Sequence, residues 1–370
     1  MGREHRLPRN PRLRQARDRR AAGIPDALSL ADGVQRRDAA AGTIVEQPAQ
    51  QAIGPFIGPL SGRFTGPFIG VDVGEDFLDL AIVGGSPRTL VFKRVALGGL
   101  DERACDTLAN RIDGVAPGLD TAALALIDSP RWPRDLDWSR GTHKRDPAPR
   151  GRELDAILRQ IFRTLMAVSD GKARIPGLAM FPTPRYDYFA RCACDPRCKP
   201  HLKAIAVELF GALLDEDVDA RGLAPNGGAI FTRFMLAGFA TYRALERLGV
   251  PAFESYPDLQ LRLSSPSRDV SPEDLPPKRK RAEALAARRR IVASLAAELG
   301  LHDAPVAANL DQADAAVLAL AAASSARSGT LWVVNNPCEG RFMLALDSRQ
   351  AHSLSPVALD KRRSDTIKIV

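Results

Sequence analysis

Two aspartates open an otherwise apolar helical segment late in the sequence. In NLDQADAAVLALAAA, residues 309–323, Asp311 and Asp314 stand three positions apart, which places them on one helix face. One interpretation is an ordinary helix start, in which Asn309 or Asp311 caps free N–H groups and an acid interacts favourably with the helix dipole. The other is a divalent metal ion held between carboxylates that otherwise repel each other. The motif alone leaves both interpretations open.

Three further acids stand on predicted strands where apolar residues are expected. Asp72 is flanked by valines in FIGVDVG, Asp128 ends the apolar run ALALID, and Glu254 ends VPAFE. A buried carboxylate is costly unless it is paired or bound to a metal, and open α/β sheets bind ligands at strand ends. Each acid also has a simpler interpretation, since Asp128-Ser129-Pro130 is a good turn sequence and a strand tip accommodates a solvent-facing Glu254.

Taken together, the acids predict a metal site. Ligation by carboxylate oxygens alone is the preference of Mg²⁺ or Mn²⁺ rather than Zn²⁺, and two such ions can activate water and stabilise a leaving oxygen in phosphodiester cleavage. We therefore predict that Asp72, Asp128, Asp311 and Asp314 ligate two ions, with Asp72 bridging them. Glu254 is expected to help ligate or orient the attacking water.

The hydrophobic pattern predicts an α/β fold with a mixed sheet flanked by helices. Phe68–Val73 and Phe77–Val83, separated by Gly-Glu-Asp, predict a hairpin, and Gly70 and Gly74 permit close approach of backbone or ligand. The remaining predicted strands are 89–97, 122–130, 250–257 and a hairpin over 330–346, and the predicted helices are 101–113, 152–168, 231–249, 283–300 and 309–325.

The composition divides the chain into three parts. Residues 1–64 are predicted to be a flexible, disordered, Arg-rich tail and linker, 65–350 the folded domain with an irregular Cys-bearing insertion at about 170–230, and 351–370 a C-terminal tail. No apolar run reaches the ~18–20 residues needed to span a membrane, and the basic N-terminus lacks the apolar segment of a secretory signal. With five cysteines and no extracellular signature, we expect a cytoplasmic protein.

Positive charge is concentrated in two places. The formal net charge is +8, with eight arginines in residues 1–20 and seven basic residues in KRKRAEALAARRR, 278–290. Such clusters suit a nucleic acid, although an Arg- and Ala-rich composition also arises from codon bias. We expect the helix over 283–300 to turn Leu285, Val292, Leu295 and Leu299 inward and to leave Arg288 and Arg289 free for phosphates.

A cluster of soft ligands lies in RCACDPRCKPH, residues 191–201. Cys192, Cys194, Cys198 and His201 form a C-x-C-x₃-C-x₂-H pattern, which offers the four ligands of a structural Zn²⁺ site. The alternative is a surface loop with incidental thiols. The spacing matches none of the standard zinc-finger patterns.

The order of these motifs resembles a widespread bacterial family of predicted nucleases, catalogued as a domain of unknown function with an RNase H-like fold. The resemblance rests on Gly-Val-Asp-Val-Gly, Ile-Asp-Ser-Pro, Glu-Ser-Tyr-Pro and the late Asp-Gln-Ala-Asp-Ala helix, and covers roughly residues 67–346. DQADAAVLAL is also similar to the last acidic helix of RuvC-type Holliday-junction resolvases. The resemblance implies metal-dependent nuclease activity on DNA or RNA. It also implies roles for Arg152 and Asp155, for residues 181–184, and for Lys278 or Lys280, the basic residues among these being candidates for nucleic-acid contact.

Two other functions remain open at this level. A GVDVG strand leading into a hairpin also opens the sugar-kinase and actin superfamily, where the aspartate and glycines meet ATP phosphates. Such proteins need a second Asp-x-Gly strand and a later Gly-rich adenosine loop, and neither occurs after residue 130. A catalytically inactive nucleic-acid-binding protein is the third alternative.

Overall fold

The computed structural model describes residues 56–60, 64, 66–84, 88–131, 186–211, 228–264, 275–336, 340–354 and 357–358, with helical positions 154, 157, 158, 161 and 165. Within this part, the chain is a mixed α/β protein in which one mixed sheet is flanked by helices. Most of the predicted N-terminal tail lies outside the described residues. So do three other predicted sites, namely Arg152, Asp155 and residues 181–184.

The described strands pair into one sheet. They are β1 (Phe56–Pro59), β2 (Phe68–Val73), β3 (Phe77–Gly84), β4 (Thr89–Ala96), β5 (Leu124–Asp128), β6 (Ala252–Glu254), β7 (Leu331–Asn336), β8 (Gly340–Ala345) and β9 (Val357–Ala358). Their order is β4-β3-β2-β5-β6-β8-β7-β1-β9. The neighbours β2, β5, β6 and β8 pair in parallel and the other pairs are antiparallel.

Helices pack on both faces of the sheet. They are α1 (Ala104–Val115), α2 (Tyr186–Arg191), α3 (Pro200–Phe210), α4 (Gly228–Arg247), α5 (Pro257–Ser264), α6 (Arg281–Glu298), α7 (Leu310–Ser328) and α8 (Ser348–His352), with a 3₁₀ turn at Leu119–Thr121. Residues of α1, α3 and α4 share one hydrophobic cluster with the sheet, and residues of α6 and α7 share a second. A third cluster joins β1, β7, β8 and α5 to the helical positions between 154 and 165.

Strand β2 is buried along its whole length because both faces of the sheet are covered there. Ile69 and Val71 point into the cluster with α1 and α4, whereas Phe68 points into the cluster with α7. Helix α7 lies directly on Gly70, where an added Cβ would stand 1.9 Å from the carbonyl oxygen of Ala315. This contact brings the first turn of α7 against the carboxyl end of β2.

The predicted central elements are confirmed within a few residues. The hairpin of β2 and β3, the strand β4, the buried strand β5 and the long helix α7 all form where the pattern predicts them. Helix α4 ends near Gly249, whose φ of 75° is the left-handed conformation that favours glycine after a helix.

The structure corrects three predictions about the ends and the insertion. The stretch 53–70 contains the strand β1, which pairs with β7 and β9 and buries Ile57, so it is more than a linker. The segment 170–230 contains α2 and α3, and their apolar residues Phe189 and Phe210 join the core. The predicted C-terminal tail, 351–370, contains the last two residues of α8 and the strand β9. Each short element lacks a long period of its own and is ordered by the sheet or core beside it.

Candidate active site on the central strands

Asp72 and Asp128 are direct neighbours across two parallel strands. They are paired in the register of β2 and β5, so their side chains point to the same face, which is the face covered by α7. Asp72 is buried and Asp128 is partly buried, and both this burial and the charge of Asp128 raise the pKa of Asp72. The two acids therefore lie side by side in a largely buried position, where a nearby positive charge favours their ionised forms.

Asp314 joins the pair from the first turns of α7. The cap of this helix is Asn309, whose Oδ1 accepts a hydrogen bond from the backbone N–H of Gln312 at 2.8 Å. Neither aspartate of the motif is therefore needed as the capping residue. Asp314 has no exposed surface, and its charge acts on both Asp72 and Asp128. A fully buried carboxylate that is not a cap requires another explanation.

Two cations hold Asp314. Arg288 of α6 has 1% of its surface exposed and places Nε 2.7 Å from Asp314 Oδ1. Lys278, in the turn before α6, places Nζ 2.8 Å from Asp314 Oδ2, although half of its side chain is exposed. This second contact is a close ion pair, so each oxygen of the buried Asp314 carboxylate faces one cation.

The pKa values of Asp72 and Asp128 are raised, first by burial and then by neighbouring acids. Burial raises the pKa of Asp72 well above its ordinary value of 3.8, Lys278 lowers it, and the neighbouring aspartates raise it further. Burial likewise raises the pKa of Asp128 to about 6, against the opposing effect of Lys278. Removal from water disfavours the Lys278 ammonium, yet Asp314, Asp72 and Asp128 raise its pKa above 10.5.

Asp311 lies at the rim of this cluster. Its side chain is exposed at the start of α7, and its pKa is raised first by partial burial and then by the charge of Asp79, with Lys278 opposing. Asp79 stands opposite Asp72 in the register of β2 and β3 and is a fifth carboxylate on this face. It was not predicted as a site residue. Arg94 satisfies it with two hydrogen bonds of 3.0 and 2.7 Å.

Glu254 lies on the opposite face of the sheet. It is paired with Ile127 in the register of β6 and β5, and the side chain of Ile127 points away from that of Asp128. The buried carboxylate accepts hydrogen bonds from the Tyr256 hydroxyl and, at 3.3 Å, from the backbone N–H of Arg131. The structure therefore does not bring Glu254 to the aspartates; it fixes the turn that follows Asp128.

The potential zinc ligands do not converge on one centre. Cys192 and Cys198 are buried in the core, whereas Cys194 is exposed, and no three of the four side chains are placed around one ion. His201 directs Nε2 to the backbone oxygen of Glu75 at 2.7 Å. The described geometry of this segment therefore does not support the predicted zinc site.

One basic residue of α6, Arg288, differs from its predicted placement. Arg288 points into the core, beside Ala284, Ala287 and Ile291, because its charge is neutralised by Asp314. Arg289 donates a 2.8 Å hydrogen bond to the backbone oxygen of Ala307. Lys280 pairs with Glu283 at 3.2 Å on the surface. Arg288 is therefore unavailable to phosphates, which corrects its prediction as a nucleic-acid contact.

In the arrangement described, no group of three His, Cys, Asp or Glu side chains is placed to hold a metal ion, within the residues that the structure covers. The ammonium of Lys278 contacts Asp314, and the charges of Asp72 and Asp128 act on it as well. The same described part of the chain contains no helix long and apolar enough to cross a membrane.

Comparisons with known proteins give a distant likeness to a solved structure. No protein-family model matches the chain, and no curated protein matches it. Among solved structures, the chain is similar to "T. thermophilus RuvC in complex with Holliday junction substrate", with 14% sequence identity and a TM-score of 0.23 over 71% of this chain and 96% of that chain.

Proposed function

We propose that this chain is a divalent-metal-dependent nuclease with an RNase H-like fold, which hydrolyses phosphodiester bonds of a nucleic acid. One observation carries the proposal: Asp72, Asp128 and Asp314 come from three elements far apart in sequence and lie together on one face of the sheet. Asp311 extends the group at the rim. The antiparallel strands that open the sheet and the late acidic helix fit the RNase H-like fold that the sequence resemblance implies.

The chemistry of the donors suits a hard divalent cation, although in the arrangement described, with Lys278 beside Asp314, they are not placed around one. Every donor is a carboxylate oxygen, which Mg²⁺ and Mn²⁺ prefer. Both oxygens of the buried Asp314 face cations, and the pKa values of Asp72 and Asp128 are raised by burial and by neighbouring acids. Asp72, Asp128 and Asp314 would hold the ion, with Asp311 joining from the rim, and Asp72 is the candidate to bridge a second ion. Such ions lower the pKa of a water and stabilise a leaving oxygen.

The surrounding residues hold the carboxylates in place. Arg288 fixes one oxygen of Asp314 and leaves the other directed at the cluster. The turn after Asp128 is held by Glu254, which accepts from the Arg131 N–H, and by Tyr242, whose hydroxyl donates to the Ser129 carbonyl oxygen at 3.0 Å. Because these supports come from different elements, the relative positions of the carboxylates depend on the complete fold.

Aspartate-to-asparagine substitutions test the function. Asp72→Asn and Asp314→Asn should lower Mg²⁺-dependent cleavage of labelled single-stranded DNA, duplex DNA, RNA or a four-way junction by about a hundredfold or more, since each removes a ligand charge. Asp120→Asn, at an exposed position far from the cluster, is the matched control and should keep full activity. In EDTA, Asp72→Asn should melt at the same temperature as the unsubstituted protein or higher, because it relieves repulsion.

Full cleavage by Asp72→Asn would contradict the nuclease proposal and would indicate a contaminating enzyme. Absence of cleavage together with Mg²⁺-dependent ATP turnover on a small hydroxyl substrate would favour the kinase alternative.

A further inference from the structure

Lys278 is the partly exposed cation of a charge cluster that is otherwise largely buried. Its Nζ lies 2.8 Å from Asp314 Oδ2, and its charge acts on Asp72 and Asp128 as well. Half of the side chain is exposed, and the residue sits in a turn closed by a 2.9 Å hydrogen bond from the Lys280 N–H to the Pro277 carbonyl oxygen. The ammonium therefore has a direct route to solvent by rotation of its own side chain.

Arg288, the other cation of the cluster, has no such route. It is 1% exposed, bonded to Asp314 Oδ1, and placed within 3.8 Å of Asp258. Displacing it would leave a buried guanidinium and a buried carboxylate uncompensated. Of the two cations that contact Asp314, Lys278 is the one that can leave.

One ammonium group also supplies less positive charge than the neighbouring carboxylates would need to be neutralised. Asp72, Asp128 and Asp314 offer three carboxylates, whereas Lys278 supplies one positive charge and contacts Asp314 Oδ2. A divalent ion has twice the charge and can coordinate several oxygens at once. Such an ion and the ammonium repel each other at this distance, so the cluster accommodates one of them at a time.

We propose that the Lys278 ammonium and a divalent metal ion occupy the carboxylate cluster alternately, so that metal enters by displacing Lys278 into solvent. The proposal rests on the metal site of the proposed function and assigns Lys278 a role in it. Lys278 neutralises the cluster when metal is absent and weakens metal binding, because each entering ion has to break the contact with Asp314. In this role Lys278 competes with the metal ion for the carboxylates and is not itself a metal ligand.

The first experiment follows the lysine in the unsubstituted full-length protein. Reductive methylation is carried out with EDTA or with saturating Mn²⁺, and modification of individual lysines is quantified by peptide mass spectrometry. Lys278 should be protected without metal and become at least severalfold more reactive with Mn²⁺. Lys280, which lies two residues away and pairs with Glu283 on the surface, should react equally in both conditions. If Mn²⁺ only made the protein more compact, Lys278 would become less reactive with the metal, which is the opposite result.

The second experiment measures the competition. Lys278→Ala should bind Mn²⁺ about tenfold or more tightly by isothermal titration calorimetry, since one unit charge within a few ångströms of the ion is removed. Arg279→Ala is the matched control, because it removes one exposed charge from the same turn and should leave the affinity unchanged. In EDTA, Lys278→Ala should melt below the Arg279→Ala variant, because the carboxylates lose their counter-charge.

Unchanged methylation of Lys278 when calorimetry shows bound Mn²⁺, or equal Mn²⁺ affinity of Lys278→Ala and Arg279→Ala, overturns the exchange. Failure to bind Mn²⁺ in either protein overturns it together with the metal site. If Mn²⁺ displaces Lys278 and no nucleic acid is cleaved, the exchange stands and the nuclease proposal fails.

Discussion

The carboxyl pKa values of Asp128 and Asp72 are raised, whereas a salt bridge lowers the pKa of an acid. Burial raises the pKa of Asp128 to about 6, and burial followed by neighbouring acids raises that of Asp72, even with Lys278 opposing. The folded protein therefore holds protons that the unfolded chain has released at the same pH. Below about pH 3.8, the ordinary pKa of an aspartate, both acids are protonated in the folded and the unfolded protein. Their burial then involves no charged carboxylate, so the stability that depends on their protonation is fully present there.

Stability in EDTA should consequently fall as the pH rises from about 4 through about 6, because the folded state binds more protons over this window. Asp128→Asn removes the titration and should be more stable than the unsubstituted protein by about 1–3 kcal/mol at pH 7. The two proteins should converge near pH 4. Urea unfolding of both proteins across this range measures the difference, and a gap independent of pH would contradict the assignment.

Helix α7 can place Asp314 beside Asp72 only because β2 has no side chain at Gly70. A Cβ there would lie 1.9 Å from the Ala315 carbonyl oxygen and 2.8 Å from the Ala319 backbone nitrogen, so both contacts are with helix backbone. Backbone cannot rotate away as a flexible side chain can. The approach of this helix is thus a requirement of the site as well as of the packing.

Gly70→Ala should destabilise the protein by about 2 kcal/mol or more, since the helix has to lift from the strand. Because Asp314 moves with α7, the substitution should also weaken Mn²⁺ binding in protein that remains folded. Gly114→Ala is the control: it lies in α1, and a Cβ there meets nothing within 4 Å. That variant should be neutral or gain about 0.5–1 kcal/mol. Equal unfolding midpoints in urea for the two variants would refute the close-approach argument.

The sheet extends beyond the strands that carry the acids. β1 lies between β7 and β9, so one short segment near residue 57 links the antiparallel β7–β8 pair to a strand near the C-terminus. Ile57 is 2% exposed and packs with Trp332, Phe342 and Leu354 in the third hydrophobic cluster. The folded unit therefore begins before residue 65 and continues past residue 350.

Deletion of residues 1–64 should lower the free energy of unfolding by about 2–3 kcal/mol or more relative to deletion of residues 1–50. The longer deletion removes the buried Ile57 and leaves the edge of β7 unpaired. Thermal melts of the two truncated proteins measure the effect, and size-exclusion chromatography should show more self-association for the longer deletion. Identical melting temperatures would mean that β1 contributes nothing to the fold.

Local sequence determined the elements that contain the acids. The short apolar runs on either side of Gly-Glu-Asp, that turn itself and the alanine-rich stretch after Asn309 each act over a few residues. The hairpin, β5 and α7 form where they are predicted. Asp72, Asp128 and Asp314 could be selected because a carboxylate inside an apolar run is conspicuous. The RNase H-like arrangement came from the resemblance and not from these local patterns.

Only the tertiary structure decided which acids meet and what neutralises them. In an apolar strand such as β5 both faces are buried, so the sequence does not say to which face the residue at its end points. A single step in register reverses the face, and the pairing of Glu254 with Ile127 instead of Asp128 sets it apart from the cluster. Lys278 and Arg288 stand 36 and 26 residues from Asp314, and no local pattern relates charges at such separations. Their pairing depends on the packing of α6 against α7.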